Sequence, residues 1–205
     1  MRTAETKRKT AETDIFVKLN VDGTGVSSID TGCAFLDHML TLFSKHSRID
    51  LEVTCKGDVE VDYHHTTEDV GNCIGFALSY AMGSTASAVR GIRRYGDTIL
   101  PMDEALIMTA LDWSGRGHLE YNVDIPSEKV GDFDTELCEE FWRAFVRGAG
   151  ALRGGGMTLH IRQLAGTNSH HIIEGIFKSV ARSLGTALSK DERFKDDIPS
   201  TKGVI

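Results

Sequence analysis

The sequence predicts one internally duplicated α+β domain over residues 1–205. Its strand-and-helix halves, about 1–95 and 96–205, should pack as two layers about a pseudo-twofold axis. Three observations predict it. The motif His-His-x-x-Glu occurs at His64-His65-Thr66-Thr67-Glu68 and again at His170-His171-Ile172-Ile173-Glu174. Each copy follows the same order of strands, a helix and a further strand. No low-complexity linker divides the halves, so they should pack face to face as one unit.

The elements are read in chain order. Residues 3–30 read as strands: Ile15 to Val21 is rich in β-formers and ends in the turn Asp22-Gly23-Thr24-Gly25. Phe35 to Lys45 carries apolar residues at 35, 36, 39, 40, 42 and 43, a helical period that includes His38. Ile49 to Cys55 alternates as a strand, and Val59 to Tyr63 leads into the first motif. Glu68 to Met82 is a helix whose Gly71, Gly75, Ala77 and Ala81 permit close packing. Ala105 to Leu111 and His118 to Val123 read as a strand pair across the Ser114-Gly115-Arg116-Gly117 turn. Asp134-Thr135 begins a helix to about Val146, with Asp134 as its N-cap. The Gly-rich loop 147–156, a strand from Met157 to Arg162 and a helix from Ser169 to Leu188 complete the second half.

Composition excludes several classes. The chain is 40% apolar and 26% charged, ordinary for a globular protein long enough to bury a core. A net charge of −7 with no long basic run argues against nucleic-acid binding. No apolar stretch approaches the roughly 18 residues of a membrane span, and the N-terminus lacks an apolar signal core. Cys33, Cys55, Cys73 and Cys138 are widely spaced without a C-x-x-C, so neither a zinc-thiolate nor a disulfide framework is indicated. A reducing, cytoplasmic compartment fits best.

Within each motif the first His and the Glu stand four apart and share a helix face. The second His lies about 100° further round, too far to serve the same ion. Two copies can instead exchange ligands. Each of two sites would take one early-helix ligand (His38 or Glu140), one second-position His, and the first His with the Glu of the opposite motif. Imidazoles and carboxylates without thiolates favour Mn²⁺, Fe²⁺ or Zn²⁺ in octahedral or related geometry. A ferritin-like bundle pairs the same residue types, but strands interrupt every helix here. Asp37 is either a partner that orients a ligating imidazole or a charge in a first turn. Arg94, Arg116, Lys178 and Lys202 are either anion contacts or solvated charges; Lys178 follows Glu174 at i+4 and so should face the metal side. The tail from Ile198 to Gly203 is too polar for a core element and reads as a disordered end or a phosphate-binding flap. His46, His118 and His160 have no such context and read as structural or exposed.

At these residues the chain resembles the imidazoleglycerol-phosphate dehydratases. The matching segments are Phe35-Leu36-Asp37-His38-Met39-Leu40, Asp62-x-His64-His65-Thr66-x-Glu68-Asp69, Pro101-Met102-Asp103-Glu104-Ala105-Leu106 and Ser114-Gly115-Arg116. Further matches are Thr158 to Arg162, Asn168-Ser169-His170-His171-Ile172-Ile173-Glu174 and Ile198-Pro199-Ser200-x-Lys202-Gly203-Val204, in the family's order along nearly the whole chain. The resemblance implies two fused ferredoxin-like (ribosomal-S5-domain-2-like) halves with helices on one face of each sheet. It implies a single-function dehydratase without a fused phosphatase. Two Mn²⁺ per active site and an octahedral homo-oligomer of twenty-four subunits, with sites between chains, are implied with it. Carried across, one manganese takes His38, His65, His170 and Glu174, and the other takes His64, Glu68, His171 and Glu140. Many members have His where Glu140 stands. Glu12, Arg94, Arg116, Lys178, Ser200, Thr201 and Lys202 match family substrate contacts.

The implied reaction converts D-erythro-imidazoleglycerol phosphate into imidazoleacetol phosphate. The hydrogen removed lies on a carbon with no neighbouring carbonyl, so enolate stabilisation is not available. Two Lewis acids on the ring nitrogens would instead favour an imidazolate that expels the adjacent hydroxyl through a diazafulvene. Glu12 and Glu174 are the catalytic candidates, Glu12 preferred for the proton because Glu174 is already committed to a metal. Two rivals remain at this stage: a non-catalytic shell stapled by metals, and a binuclear metallohydrolase.

Overall fold

The computed structural model describes residues 1–83, 88–152 and 155–205. Its first half runs β1 (Thr3–Lys9), β2 (Thr13–Asn20), β3 (Ser27–Asp30), α1 (Ala34–Ser47), β4 (Asp50–Gly57) and α2 (His64–Gly83). The second runs β5 (Tyr95–Met102), β6 (Ala105–Asp112), β7 (His118–Asn122), α3 (Leu137–Ala149), β10 (Thr158–Ala165) and α4 (Ser169–Leu188). A two-residue-strand hairpin, β8 (Lys129–Val130) with β9 (Phe133–Asp134), precedes α3. The sheets have orders β1-β2-β4-β3 and β5-β6-β10-β7. In both, an antiparallel hairpin pairs with the fourth strand, which then carries the third in parallel. This identity of topology is the expected duplication.

Burial follows from the sequence pattern. Along β2, Thr13, Ile15, Val17 and Leu19 face the helices while the alternate positions are more exposed. In the second sheet Ala105, Ile107, Thr109 and Leu111 of β6 do the same. Each sheet thus has one wet face and one covered by its own two helices. The helix layers then pack on each other, α2 on α3 and α1 on α4. Where they meet, an aromatic cluster joins the halves. Trp142 lies with ring centroids 4.8 Å from Phe177, 4.9 Å from Phe141 and 6.2 Å from Phe43. These four residues are buried, and burying each such side chain contributes about 1.5–3 kcal/mol.

The small residues of α2 are needed at this interface. A Cβ on Gly75 would stand 2.1 Å from the Phe145 carbonyl oxygen and 2.8 Å from the Ala149 nitrogen, both backbone atoms of α3. Gly75→Ala is therefore expected to cost about 1–3 kcal/mol through overpacking, more than the roughly 0.5–1 kcal/mol it would gain as a better helix former. Denaturant unfolding would register this as a lower midpoint; an unchanged midpoint would show that α2 and α3 can separate freely.

The structure corrects three sequence expectations. β6 and β7 are not paired, because β10 enters between them. Asp134 is not an N-cap: it ends β9, and α3 starts three residues later after Glu136, which makes no side-chain cap. The first motif opens its helix, since α2 begins at His64 and not at Glu68. Three strands, β5 and the two short ones of the β8–β9 hairpin, had no counterpart in the expectations. Positions 153–154 of the expected Gly-rich loop lie outside the described residues. All four cysteines are buried and unpaired, and among the described residues no helix is long and apolar enough to cross a membrane.

Candidate metal centre and active site

Both motif helices begin with the same device. The Asp62 carboxylate accepts from the His64 backbone N–H at 2.7 Å, and the Asn168 side chain accepts from those of His170 (2.9 Å) and His171 (3.2 Å). The repeat is thus [Asp/Asn]-x-His-His-x-x-Glu, a cap and its ligands set in one turn. In each copy the first His and the Glu meet across that turn: His170 Nε2 is 3.2 Å and His64 Nε2 3.7 Å from its Glu.

His38 completes the second copy. Its Nε2 is 3.6 Å from Glu174 Oε2, and one ligand atom each of His38, His170 and Glu174 lie within 4.8 Å of one another. Because α1 packs on α4, this cluster joins a helix from each half. Two imidazoles and a hard carboxylate converging on one point fit a first-row divalent cation such as Mn²⁺, Fe²⁺ or Zn²⁺. Phe35 lies edge-on to His170 with centroids 5.3 Å apart, and Phe133, from the hairpin found only in the second half, lies 5.1 Å from Phe35. These rings wall the cluster on one side.

Glu174 is buried at this point. Burial raises its carboxyl, but Lys178 Nζ, 2.5 Å from Oε1, together with His170 and His38, outweighs that and holds it below the usual carboxylate range. Lys178 also approaches the Met102 sulfur at 3.6 Å. Glu68 has its own cation: Arg147 of α3 donates to Oε1 at 2.7 Å.

Glu140 stands nine residues before the last residue of α3 (Ala149), as His38 stands nine before that of α1 (Ser47). It is half-buried on the helix that packs against α2. Among the described residues only the His38 set draws three ligands together.

The second histidines turn elsewhere. His65 Nδ1 is 2.9 Å from Asp58 Oδ2, and its Nε2 is 3.8 Å from Glu12 Oε1. His171 Nδ1 is 2.7 Å from Glu104 Oε2, and its Nε2 is 3.7 Å from Asp103. The hydrogen bond it donates to Asp58 raises the His65 imidazole, as the one to Glu104 raises His171. His171 and the backbone N–H groups of Asn168 and Thr167 hold Glu104 down to about 2. None of Asp58, Asp103 and Glu104 was given a role from the sequence, although Asp103 and Glu104 lie in a matched segment. Asp37 instead accepts from the Thr31 backbone N–H at 2.9 Å and its hydroxyl at 2.5 Å, so it braces a loop and touches no imidazole.

The remaining expected contacts gather at the opposite end of the second sheet. Arg94 makes a paired bond to Asp112 (2.7 and 3.1 Å) and donates to the Pro199 carbonyl at 2.8 Å, which pins the C-terminal tail. Further along, Ile205 lies against Gly115, beside the exposed Arg116. The tail therefore carries Ser200, Thr201 and Lys202 between the two arginines. Here Tyr95, Asp112 and Thr158 are in register, whereas Met102 and Ala105 lie at the end near Glu104 and His171. The eight residues of β5 separate these ends by about 23 Å at ~3.3 Å per residue.

The family sequence profile described as imidazoleglycerol-phosphate dehydratase matches residues 31–184. The chain is 53% identical over 205 residues to the imidazoleglycerol-phosphate dehydratase of Dinoroseobacter shibae, covering 100% of both chains. To that of Synechococcus sp. it is 52% identical over 205 residues, 100% of this chain and 96% of the relative. Among solved structures it superposes on the Staphylococcus aureus imidazoleglycerol-phosphate dehydratase with a TM-score of 0.80 at 40% identity, covering 92% of this chain and 99% of that one. On the Pyrococcus furiosus protein in complex with (S)-C348 the TM-score is 0.77 at 33% identity, covering 98% and 100%.

Proposed function

The chain belongs to the imidazoleglycerol-phosphate dehydratase family, hydro-lyases of histidine biosynthesis, and from that premise we propose a two-manganese site shared between subunits of a homo-oligomer. The substrate is D-erythro-imidazoleglycerol phosphate and the products are imidazoleacetol phosphate and water. The observation that carries the metal reading is the convergence of His38, His170 and Glu174 from opposite halves. His65 would complete that set; His64, Glu68, His171 and Glu140 would hold the second ion. The octahedral twenty-four-subunit arrangement of the family suits these sites.

Sharing between chains follows from lengths. The phosphate-binding cluster of Arg94, Arg116, Ser200, Thr201 and Lys202 lies about 23 Å from the motif end of its own sheet, several times the reach of a three-carbon phosphate. For a substrate bound at the His171 end, the phosphate-holding groups would then come from a neighbouring subunit.

Ions held by these residues would supply Lewis acidity that eases loss of the hydroxyl beside the ring. The chain's own groups do the rest. The Glu12 carboxylate makes no hydrogen bond among the described residues and is half-exposed beside His65, so it is free to take the carbon-bound proton. The guanidinium and ammonium groups fix the phosphate remote from the reacting carbons, which converts orientation into rate. Lys178, on the turn after Glu174, would be released toward substrate when its carboxylate partner is shared with a cation.

The test is direct. Protein stripped with a chelator should form no imidazoleacetol phosphate, and adding Mn²⁺ should restore it. Full turnover by the stripped protein would overturn the metal reading while leaving the family intact.

A further inference from the structure

The hairpin that joins the first two strands of each half ends in a glutamate: Glu12 immediately precedes β2 at Thr13, and Glu104 immediately precedes β6 at Ala105. By the shared topology these are duplicates of one position. Both face the second histidine of the motif in their own half, yet they do different things. The Glu12 carboxylate approaches His65 Nε2 at 3.8 Å and makes no hydrogen bond among the described residues. Glu104 is fully engaged: Oε2 takes His171 Nδ1 at 2.7 Å, and Oε1 takes the backbone N–H groups of Asn168 (2.7 Å) and Thr167 (3.2 Å). In the first half the corresponding hold on His65 Nδ1 comes from Asp58, at 2.9 Å.

We propose that Glu104 and Asp58 are positioning residues, each fixing the second histidine of a motif with Nδ1 donating to a carboxylate and Nε2 presented outward for metal. A neutral imidazole carries one proton, and a carboxylate on Nδ1 accepts that proton's hydrogen bond, so the free lone pair stands on Nε2. Glu104 does more than hold a ring. By bonding the two N–H groups ahead of α4 it ties the β5–β6 hairpin to Asn168, the residue that caps the helix under His170 and His171. The left-handed backbone of Asp103 (φ 50°), a conformation Asp tolerates, aims Glu104 at that helix start. The duplicated glutamate has thus divided its labour. One copy is locked into holding a ligand and the other is left free for proton transfer, which explains why only Glu12 suits the base.

This inference rests on the two-manganese reading, and the experiment separates them. Mn²⁺ is titrated into metal-free full-length protein and free ion is followed by electron paramagnetic resonance, for wild type, Glu104→Ala and Glu104→Gln. Wild type should bind two ions per chain; if it binds none, the metal reading itself fails. Glu104→Ala should keep one ion tight and weaken the other by about 10–100-fold. Glu104→Gln, which retains an oxygen for the imidazole N–H, should recover part of that loss. Wild-type affinity for both ions in a folded Glu104→Ala protein, judged by circular dichroism, would overturn the proposal. Should Glu104→Ala not fold, the isosteric Glu104→Gln and Asp58→Asn carry the test. Each should weaken one ion several-fold, and two tight ions in both would overturn it equally.

Discussion

Glu12→Gln is expected to lose about 10²- to 10⁴-fold in kcat, the range a positioned general base supplies, while keeping its metal content and its assembly. The amide matches the carboxylate in size but cannot accept the proton. Because the Glu12 carboxylate is half-exposed and makes no hydrogen bond among the described residues, its replacement by the amide should leave stability nearly unchanged. Steady-state kinetics on the manganese-loaded protein, with the metal counted by elemental analysis, would check both halves of this expectation. A near-normal kcat would remove Glu12 from proton transfer. A drop accompanied by metal loss would recast it as a support for His65.

The second large effect concerns His65→Ala and His171→Ala. Each should deplete one manganese per chain, and not the same one. His65→Ala should spare the ion at His64, Glu68 and His171, whereas His171→Ala should spare the ion at His38, His170 and Glu174. Removing one imidazole from a set of four ligands leaves the ion with three protein donors and a weaker hold. Either variant should therefore have almost no turnover, since the proposed dehydration uses both ions. Elemental analysis that returned two bound manganese ions in either variant would sink the crossed assignment.

Much of the fold could be read from spacing alone. The four-residue step from His170 to Glu174 and the apolar period from Phe35 to Lys45 are local signals, and α4 and α1 fall where those signals put them. The parts that escaped depend on distant chain. β5 carries Pro101, which breaks the donor pattern a strand normally needs; it is tolerated because β5 is the edge of its sheet. The insertion of β10 between β6 and β7 is a choice of topology that neither strand's own residues encode. Asp134 has a capping side chain, but the small hairpin before α3 uses it as a strand residue. At the site, the shared face of the first His and the Glu was legible within each motif. The hold of Glu104 on His171 spans 67 residues, and an exposed turn glutamate looks the same in sequence whether or not a histidine waits across from it. His38 and Glu140 were aligned from sequence through the duplication, and the equal distances to their helix ends give that alignment a structural footing.

The separation of the arginine-and-tail cluster from the motif end has a genetic consequence if sites are shared as proposed. A chain lacking Lys202 still carries an intact motif end, and a chain lacking His170 still carries an intact phosphate end. In a mixed assembly some sites would pair the two intact ends and some would pair the two damaged ones. Two alleles, each inactive alone, would then complement one another within a single particle. Selection would then act on ends contributed to a common pool of sites, and a chain would not be the unit that succeeds or fails.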